Sequence, residues 1–137
     1  TDEPTKDEPA PVTGTTDAAL GRYRLVKQGA SATTFAVAGA SDTPIGITLD
    51  ETANTTDLTA VRLLACGQGT VIAISDGSAA IARGDLLVPA ASGACKTIAA
   101  GAGNYRICGI AIEAVGNGAS GTDAQFEMIP VQAWLTK

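Results

Sequence analysis

The chain has 137 residues, 14 of them acidic and 9 basic, with a formal net charge of −5 and no histidine. That length suits one domain and is too short for two comfortable ones. The missing histidine removes the usual general base, the usual member of a catalytic triad and the commonest metal ligand together, and the acidic balance lacks the basic footprint that neutralises nucleic-acid phosphates.

The charge is uneven. Residues 1–19 hold Asp2, Glu3, Asp7, Glu8 and Asp17 against Lys6 alone, net −4, which leaves residues 20–137 at −1. Hydrophobic residues make up 45% of the chain, but 26 of them are Ala; Val, Ile, Leu, Phe, Met and Trp together number 31. Burial stabilises by roughly 25 cal/mol per Å² of apolar surface, so a core of Ala, Thr and short aliphatics gains little per residue. The thin core predicts oligomerisation, with a stable monomer at micromolar concentration as the result against it.

Residues 1–19, with Pro4, Pro9 and Pro11 and no bulky apolar residue before Val12, predict an extended, acidic, Pro-rich N-terminal arm that cannot pack a core by itself. Residues 20–137 then read as a single β-rich domain. Tyr23 to Gln28 and Thr34 to Val37 predict the first two strands, with Gln28-Gly29-Ala30-Ser31 as their turn. Pro44 to Leu49, Leu58 to Leu64 and Thr70 to Ile74 follow, the last closed by Ser75-Asp76-Gly77-Ser78. Ala80 to Arg83 has the composition of a helical turn, interrupted by Gly84-Asp85, before the strand Leu86-Leu87-Val88 and Pro89. Cys95 to Ile98, Tyr105 to Ile112 and Gln125 to Leu135 complete the set, and Pro130 predicts a bulge or an edge within the last. About ten short strands at regular spacing, with 16 Gly and 17 Thr against helix, predict an all-β fold, a small barrel or sandwich with little helix.

Two stretches repeat one design. Pro44-Ile45-Gly46-Ile47-Thr48-Leu49-Asp50, a polar loop and Thr56-Asp57 leading to Leu64 are echoed by Cys108-Gly109-Ile110-Ala111-Ile112-Glu113, a Gly-rich loop and Thr122-Asp123 leading to Ile129. The two glycines lie 63 residues apart (109 − 46). Each copy reads as a hairpin.

No residue set reads as a reaction centre. Cys66, Cys95 and Cys108 stand at long, irregular spacings without a CxxC, so all three read as small buried hydrophobes in a reducing compartment rather than as metal ligands. Asp50 and Glu51 are neighbours that point to opposite faces of a strand. Asp42-Thr43-Pro44 lacks the glycine of an aspartic-protease turn, and Gly67-Gln68-Gly69 and Gly101-Ala102-Gly103 lack the third glycine of a phosphate cradle. Asp76-Gly77 and Gly84-Asp85 read as turns, Arg22, Arg24 and Lys27 as a solvated basic face, and Phe35, Phe126, Trp134 and Leu135 as core anchors, with Trp134 alternatively pinning the chain end to a neighbouring subunit. Catalytic, cofactor and metal sites are all expected to be absent. No apolar run approaches the roughly 20 residues of a membrane span, and no secretory leader opens the chain. The missing initiator Met fits Met removal before Thr1, or a processed or trimmed start.

The motif order Ile45-Gly46-Ile47, Gly69-Thr70-Val71, Gly84-Asp85-Leu86 and Gly109-Ile110-Ala111-Ile112-Glu113-Ala114 resembles the small capsid cement or decoration proteins of tailed bacteriophages, over about Leu20 to Ile129. The resemblance implies a non-enzymatic structural protein, often a homotrimer, that binds the major capsid protein on the outer surface of an expanded icosahedral head and bridges neighbouring subunits. It implies assembly in the bacterial host cytoplasm, with no cofactor, nucleic-acid or membrane partner. The rival reading is a β-rich virion fibre or host-surface-binding module, which would carry an exposed aromatic patch that five aromatic residues hardly furnish.

Overall fold

A computed structural model describes residues 11–66 and 69–137. Five short strands, β1 (Val12–Thr16), β2 (Leu25–Gln28), β3 (Thr34–Val37), β4 (Gly46–Thr48) and β5 (Thr59–Leu63), close into a barrel in the order β1-β3-β2-β4-β5. The closing strand β1 runs parallel to β3, with Thr16 opposite Phe35, and antiparallel to β5, with Val12 opposite Val61. Five more, β6 (Val71–Ile74), β7 (Leu86–Pro89), β8 (Cys95–Thr97), β9 (Asn104–Ala111) and β10 (Gln125–Thr136), form a second sheet in the order β6-β10-β9-β7-β8. A parallel bridge from Ser75 to Cys95 ties the end of β6 to β8. The only helical elements among the described residues are three 3₁₀ turns, at Leu64–Cys66, Ala91–Gly93 and Gly121–Ala124. The fold is all-β.

The two sheets are the same object built twice. Taken round its circumference, the second reads β6-β8-β7-β9-β10, the cyclic order of the first. Backbone hydrogen bonds repeat with it. Leu20 and Thr52 exchange N–H···O bonds at 3.2 and 2.8 Å, and Ile81 and Val115 do so at 2.8 and 2.9 Å. Tyr23 N–H donates to Thr48 O and Thr48 N–H to Arg24 O, as Gly84 N–H does to Ala111 O and Ala111 N–H to Asp85 O. Ala38 N–H donates to Leu25 O in the first unit and Ile98 N–H to Leu86 O in the second; Asp17 N–H to Phe35 O is matched by Asp76 N–H to Cys95 O. The hairpin echo legible around Gly46 and Gly109 is thus one part of a tandem repeat of the whole five-stranded unit.

Both glycines are required by the same close approach. Gly46 stands opposite Leu63, and a Cβ there would strike the Val61 side chain and come within 2.8 Å of Arg62 O. Gly109 stands opposite Pro130, and its Cβ would strike the Met128 side chain and come within 3.1 Å of Ile129 O. In each hairpin the obstructing side chain is two residues, and the carbonyl one residue, before the glycine's cross-strand partner.

A cluster of buried residues runs through both units: Leu25, Ala38, Ile47 and Leu64 from the first pack with Val71, Ile81, Leu87, Phe126 and Met128 from the second. A smaller group of Leu20, Val26 and Val61, with Phe35 against it, fills the rest of the first barrel. That barrel also buries hydroxyls, each with a partner. Thr16 and Thr52 Oγ atoms lie 3.1 Å apart, Thr48 Oγ donates to Gly21 O at 3.0 Å, and Thr59 Oγ donates to Asp50 O at 3.2 Å. Buried polar groups persist when so bonded.

Three expectations change. The arm drawn over residues 1–19 falls in two parts: residues 1–10 lie outside the described residues, whereas Val12–Thr16 is β1, a stave of the barrel whose Thr16 is buried. Its low apolar content concealed it, because a strand whose inward positions are Gly14 and Thr16 shows no hydrophobic alternation. Ala80 to Arg83 forms no helical turn; Ile81 is bridged to Val115, and Gly84, at φ +92°, turns the chain while Asp85 Oδ2 accepts from Ala82 N–H at 2.8 Å. Trp134 is 61% exposed and anchors no core, while Phe126 is buried at 1%. The bulge expected at Pro130 is present, since the ladder shifts register between Pro130 and Ala133.

Candidate functional site

The residues with catalytic potential are engaged structurally. Cys95 and Cys108 are buried with their sulfurs 3.9 Å apart, and the Cys108 thiol donates to Leu87 O at 3.4 Å. The hydrogen bond with Cys108, reinforced by burial, holds the Cys95 thiol well above its ordinary pKa, so it is a protonated core group rather than a nucleophile. Cys66 lies in a 3₁₀ turn, and the expectation of its burial falls outside the described side chains. Asp76 Oδ1 accepts from Ser78 N–H and Oγ–H at 3.0 and 2.7 Å, and Gly77 has φ +76°, which makes Asp76-Gly77 a turn. Among the described residues no three His, Cys, Asp or Glu side chains gather as a metal site would need, and no helix is long and apolar enough to cross a membrane.

The basic run Arg22, Arg24 and Lys27 is dispersed over separate partners. Arg22 lies over the Tyr23 ring at 5.7 Å, Arg24 Nη1 donates to Ser92 O at 3.3 Å, and Lys27 pairs with Asp42 at 3.0 Å. The Asp42 carboxylate is held below its ordinary pKa first by the Gly39 N–H that it accepts at 2.8 Å and then by Lys27.

The surface with the most unusual chemistry lies where β9 and β10 outrun their counterparts. These strands have 8 and 12 residues, against 3 in β4 and 5 in β5, and beyond the Pro130 bulge they continue as a ladder pairing Ile107 with Ala133, Arg106 with Trp134, Tyr105 with Leu135 and Asn104 with Thr136. The Arg106 guanidinium sits 4.7 Å from the Trp134 ring centroid, and Lys137 Nζ lies 5.7 Å from the Tyr105 ring while donating to Ala99 O at 2.9 Å. Cation–ring pairs of this kind fix both partners without consuming the cation's hydrogen-bond donors.

Two depressions flank Arg106. One, of about 190 Å³, is walled by Thr43, Pro44, Gln132 and Trp134; the other, of about 210 Å³, by Ala40, Pro89, Lys96 and Tyr105. The loop between β3 and β4 borders both, and Gln132 Nε2 secures it by donating to Pro44 O at 3.3 Å. Arg106 Nε is buried with no hydrogen-bond partner among the described residues. The result is two depressions that share Arg106, one against the Trp134 ring and one beside Tyr105 and Lys96, with the Asp42 carboxylate near enough to feel the Arg106 charge. Sequence reasoning assigned Trp134 to the core and passed over Arg106, Lys96 and Lys137. The signal lay in Tyr105-Arg106 facing Trp134-Leu135 across the final hairpin, a cation–aromatic cross-strand pair of the kind found on exposed sheet faces.

No family model and no curated sequence matches the chain. Among solved structures it is similar to the N base of the head fiber gp8.5 of bacteriophage phi29, with a TM-score of 0.64 and 18% identity over 93% of this chain and 98% of that one. The similarity runs through both five-stranded units and shows a shared fold.

Proposed function

We propose that the chain is a non-enzymatic structural protein of a tailed-phage virion, seated on the outer surface of the head, where it binds the major capsid protein as a homotrimer and bridges neighbouring subunits. The observation that carries this reading is the end-to-end fold similarity to the base of a phage head fiber, 93% of this chain against 98% of that one. The motif order, which resembles that of capsid cement proteins, is in keeping with it. Physics supplies the mechanism. A shell holding packaged DNA is stressed where capsomers meet, and a clamp across that junction adds interface that must be broken before subunits part. A trimer engaging three subunits binds through effective concentration, so modest single contacts suffice.

A second reading, a fibre base or host-surface-binding module, has its own observation. Trp134 is 61% exposed against Arg106, a single exposed aromatic of the kind that such a module would present. The two readings differ in what the chain must grip.

Sedimentation velocity of the purified chain, alone and mixed with empty expanded phage heads, tests the proposal. Trimers that co-sediment with heads in fixed stoichiometry support cementing, and a rise in the heads' resistance to heat extends it to bridging. Binding to heads without added resistance favours the fibre-base reading. A monomer that ignores the heads overturns both.

A further inference from the structure

We propose that the outer face of the second five-stranded unit packs on the first unit of a second copy of this chain, head to tail, repeating between chains the contact that joins the two units within one. The within-chain contact supplies the template. The first unit sets Ala38, Leu25, Ile47 and Arg62 in one row: Leu25 and Arg62 both stand opposite Ile47, and Ala38 N–H donates to Leu25 O at 2.9 Å. Leu25 alternates with Val26, which lines the interior, so the row lies on the outside of the barrel. Its three apolar members are fully buried because the second unit covers them. The cover includes the turn Ala91–Gly93, whose Gly93 N–H donates to Ala38 O at 2.9 Å.

The second unit carries the same row and leaves it open. Ile98, Leu86, Ile110 and Ile129 hold the matching places, with Leu86 and Ile129 opposite Ile110 and Ile98 N–H donating to Leu86 O at 3.0 Å. All four are apolar, yet Leu86, Ile98 and Ile110 are only half-buried and Ile129 is 40% exposed. The surface that would receive such a row is open too, and it lies on the first unit. Val71, buried at 5%, has its match in Val12, which is 36% exposed. The turn matching Ala91–Gly93 is Ala30 to Thr33, closed by Gly29 N–H to Thr34 O as the other is by Ala90 N–H to Ala94 O. Gly93 is buried in its contact, whereas residues 30–33 are exposed throughout. One chain thus holds an uncovered row on one unit and an unused cover on the other, the two halves of a heterologous interface. Exposed apolar faces of this kind mark association sites, and a second copy is the occupant because the chain already carries the complement of its own row. The inference rests on the homotrimer of the proposed function only for the number of chains, since head-to-tail contacts close into rings.

A head-to-tail contact has a test that a two-fold contact fails. Ile129→Glu places a charge in the row and Ala32→Glu places one on the turn that covers it, so each variant loses one half of the interface and keeps the other. In sedimentation velocity at tens of micromolar chain, the parent is expected as a three-chain species and each variant as a one-chain species. An equimolar mixture of the two variants is expected to form a two-chain species and nothing larger, because one intact row meets one intact cover. Far-UV circular dichroism and the urea midpoint check that both variants fold; Ala32 lies on an exposed turn, and Ile98→Ser replaces Ile129→Glu should the latter unfold. Variants that associate as the parent does overturn the proposal, as does a mixture in which no two-chain species forms. So does a one-chain parent, which is the result if the capsid or another segment covers the row. Variants that stay trimeric leave the homotrimer standing, and binding to heads is read separately, so this inference and the proposed function fail separately.

Discussion

The two five-stranded units share one backbone frame and fill it differently. At matching places in the hydrogen-bond pattern the first unit has Thr48, Thr52 and Thr59 where the second has Ala111, Val115 and Phe126, and Phe35 where the second has Cys95. The first barrel is therefore laced by hydroxyl contacts, whereas the second keeps one buried hydroxyl, Ser75 in the place of Thr16, and is otherwise packed by hydrocarbon and thiol. A small barrel needs its register, a few glycines at close approaches and a filled interior. Whether the filling is methyl or hydroxyl matters less, provided each hydroxyl has a partner.

Exchanging the fillings gives the largest expected effect. Phe126→Ala removes a side chain buried at 1% from the cluster shared by both units and is expected to cost about 3–5 kcal/mol. Thr59→Ala, at the matching place, loses the 3.2 Å bond to Asp50 O and is expected to cost about 1 kcal/mol. Urea denaturation followed by circular dichroism reads both. Because Leu25, Ile47 and Leu64 pack with Phe126 and Met128, both variants should keep a single transition. A split into two transitions would show that the units fold separately.

The glycine pair sharpens the comparison. Gly46→Ala drives a methyl against Val61 and the Arg62 carbonyl at 2.8 Å, neither of which yields, and is expected to cost about 1–3 kcal/mol. Gly109→Ala meets the Met128 thioether, which has rotamers to spare, and a carbonyl at 3.1 Å, so its cost should be about half as large. Equal losses in paired denaturation curves would mean that the carbonyls rather than the side chains set the limit.

The same pair explains how much of the molecule could be read beforehand. The hairpins were legible because Gly-Ile-x-Ile/Leu repeats in letters as well as in structure, and nine of the ten strands follow from β-branched runs between turns. The wider repeat was not, because Thr for Ala, Thr for Val and Thr for Phe share no sequence signal although each fills the same place. β1 was missed since a stave whose inward residues are Gly14 and Thr16 resembles the polar chain before it. The surface around Arg106 was missed for another reason: β9 and β10 exceed their counterparts only past the Pro130 bulge, and the cation–aromatic pairing of Arg106 with Trp134 becomes a signal only once the register of the last hairpin is known.

Turn geometry separates the units on a smaller scale. Tyr23 and Gly84 occupy one turn of the frame, both left-handed, at φ +63° and +92°. A Cβ at Gly84 meets nothing within 4 Å, so Gly84→Ala isolates the backbone term, about 1 kcal/mol lost. Tyr23→Gly removes that strain but also the Arg22 contact with the ring, and a net change within about 0.5 kcal/mol is expected. A large loss on Tyr23→Gly would show that the ring contact outweighs the strain.

The last difference is one of titration. Among the described side chains only the second unit buries thiols, and the Cys95 pKa is raised above the ordinary value of 9.0, by its hydrogen bond with Cys108 first and by burial second. A raised folded pKa means that the native state keeps a proton which the unfolded chain has released. The stabilisation is thus complete below about pH 9 and is lost progressively above it, as the unfolded thiol ionises and until the folded one follows. The denaturation midpoint should fall between pH 8 and 10.5, and Cys95→Ala, although less stable throughout because of the cavity, should fall less steeply over that range. Phe35 stands at the matching place in the first unit and has nothing to titrate, so Phe35→Ala should lower the curve without changing its slope. Parallel curves for the parent and Cys95→Ala would show that this thiol is not the source of the alkaline sensitivity.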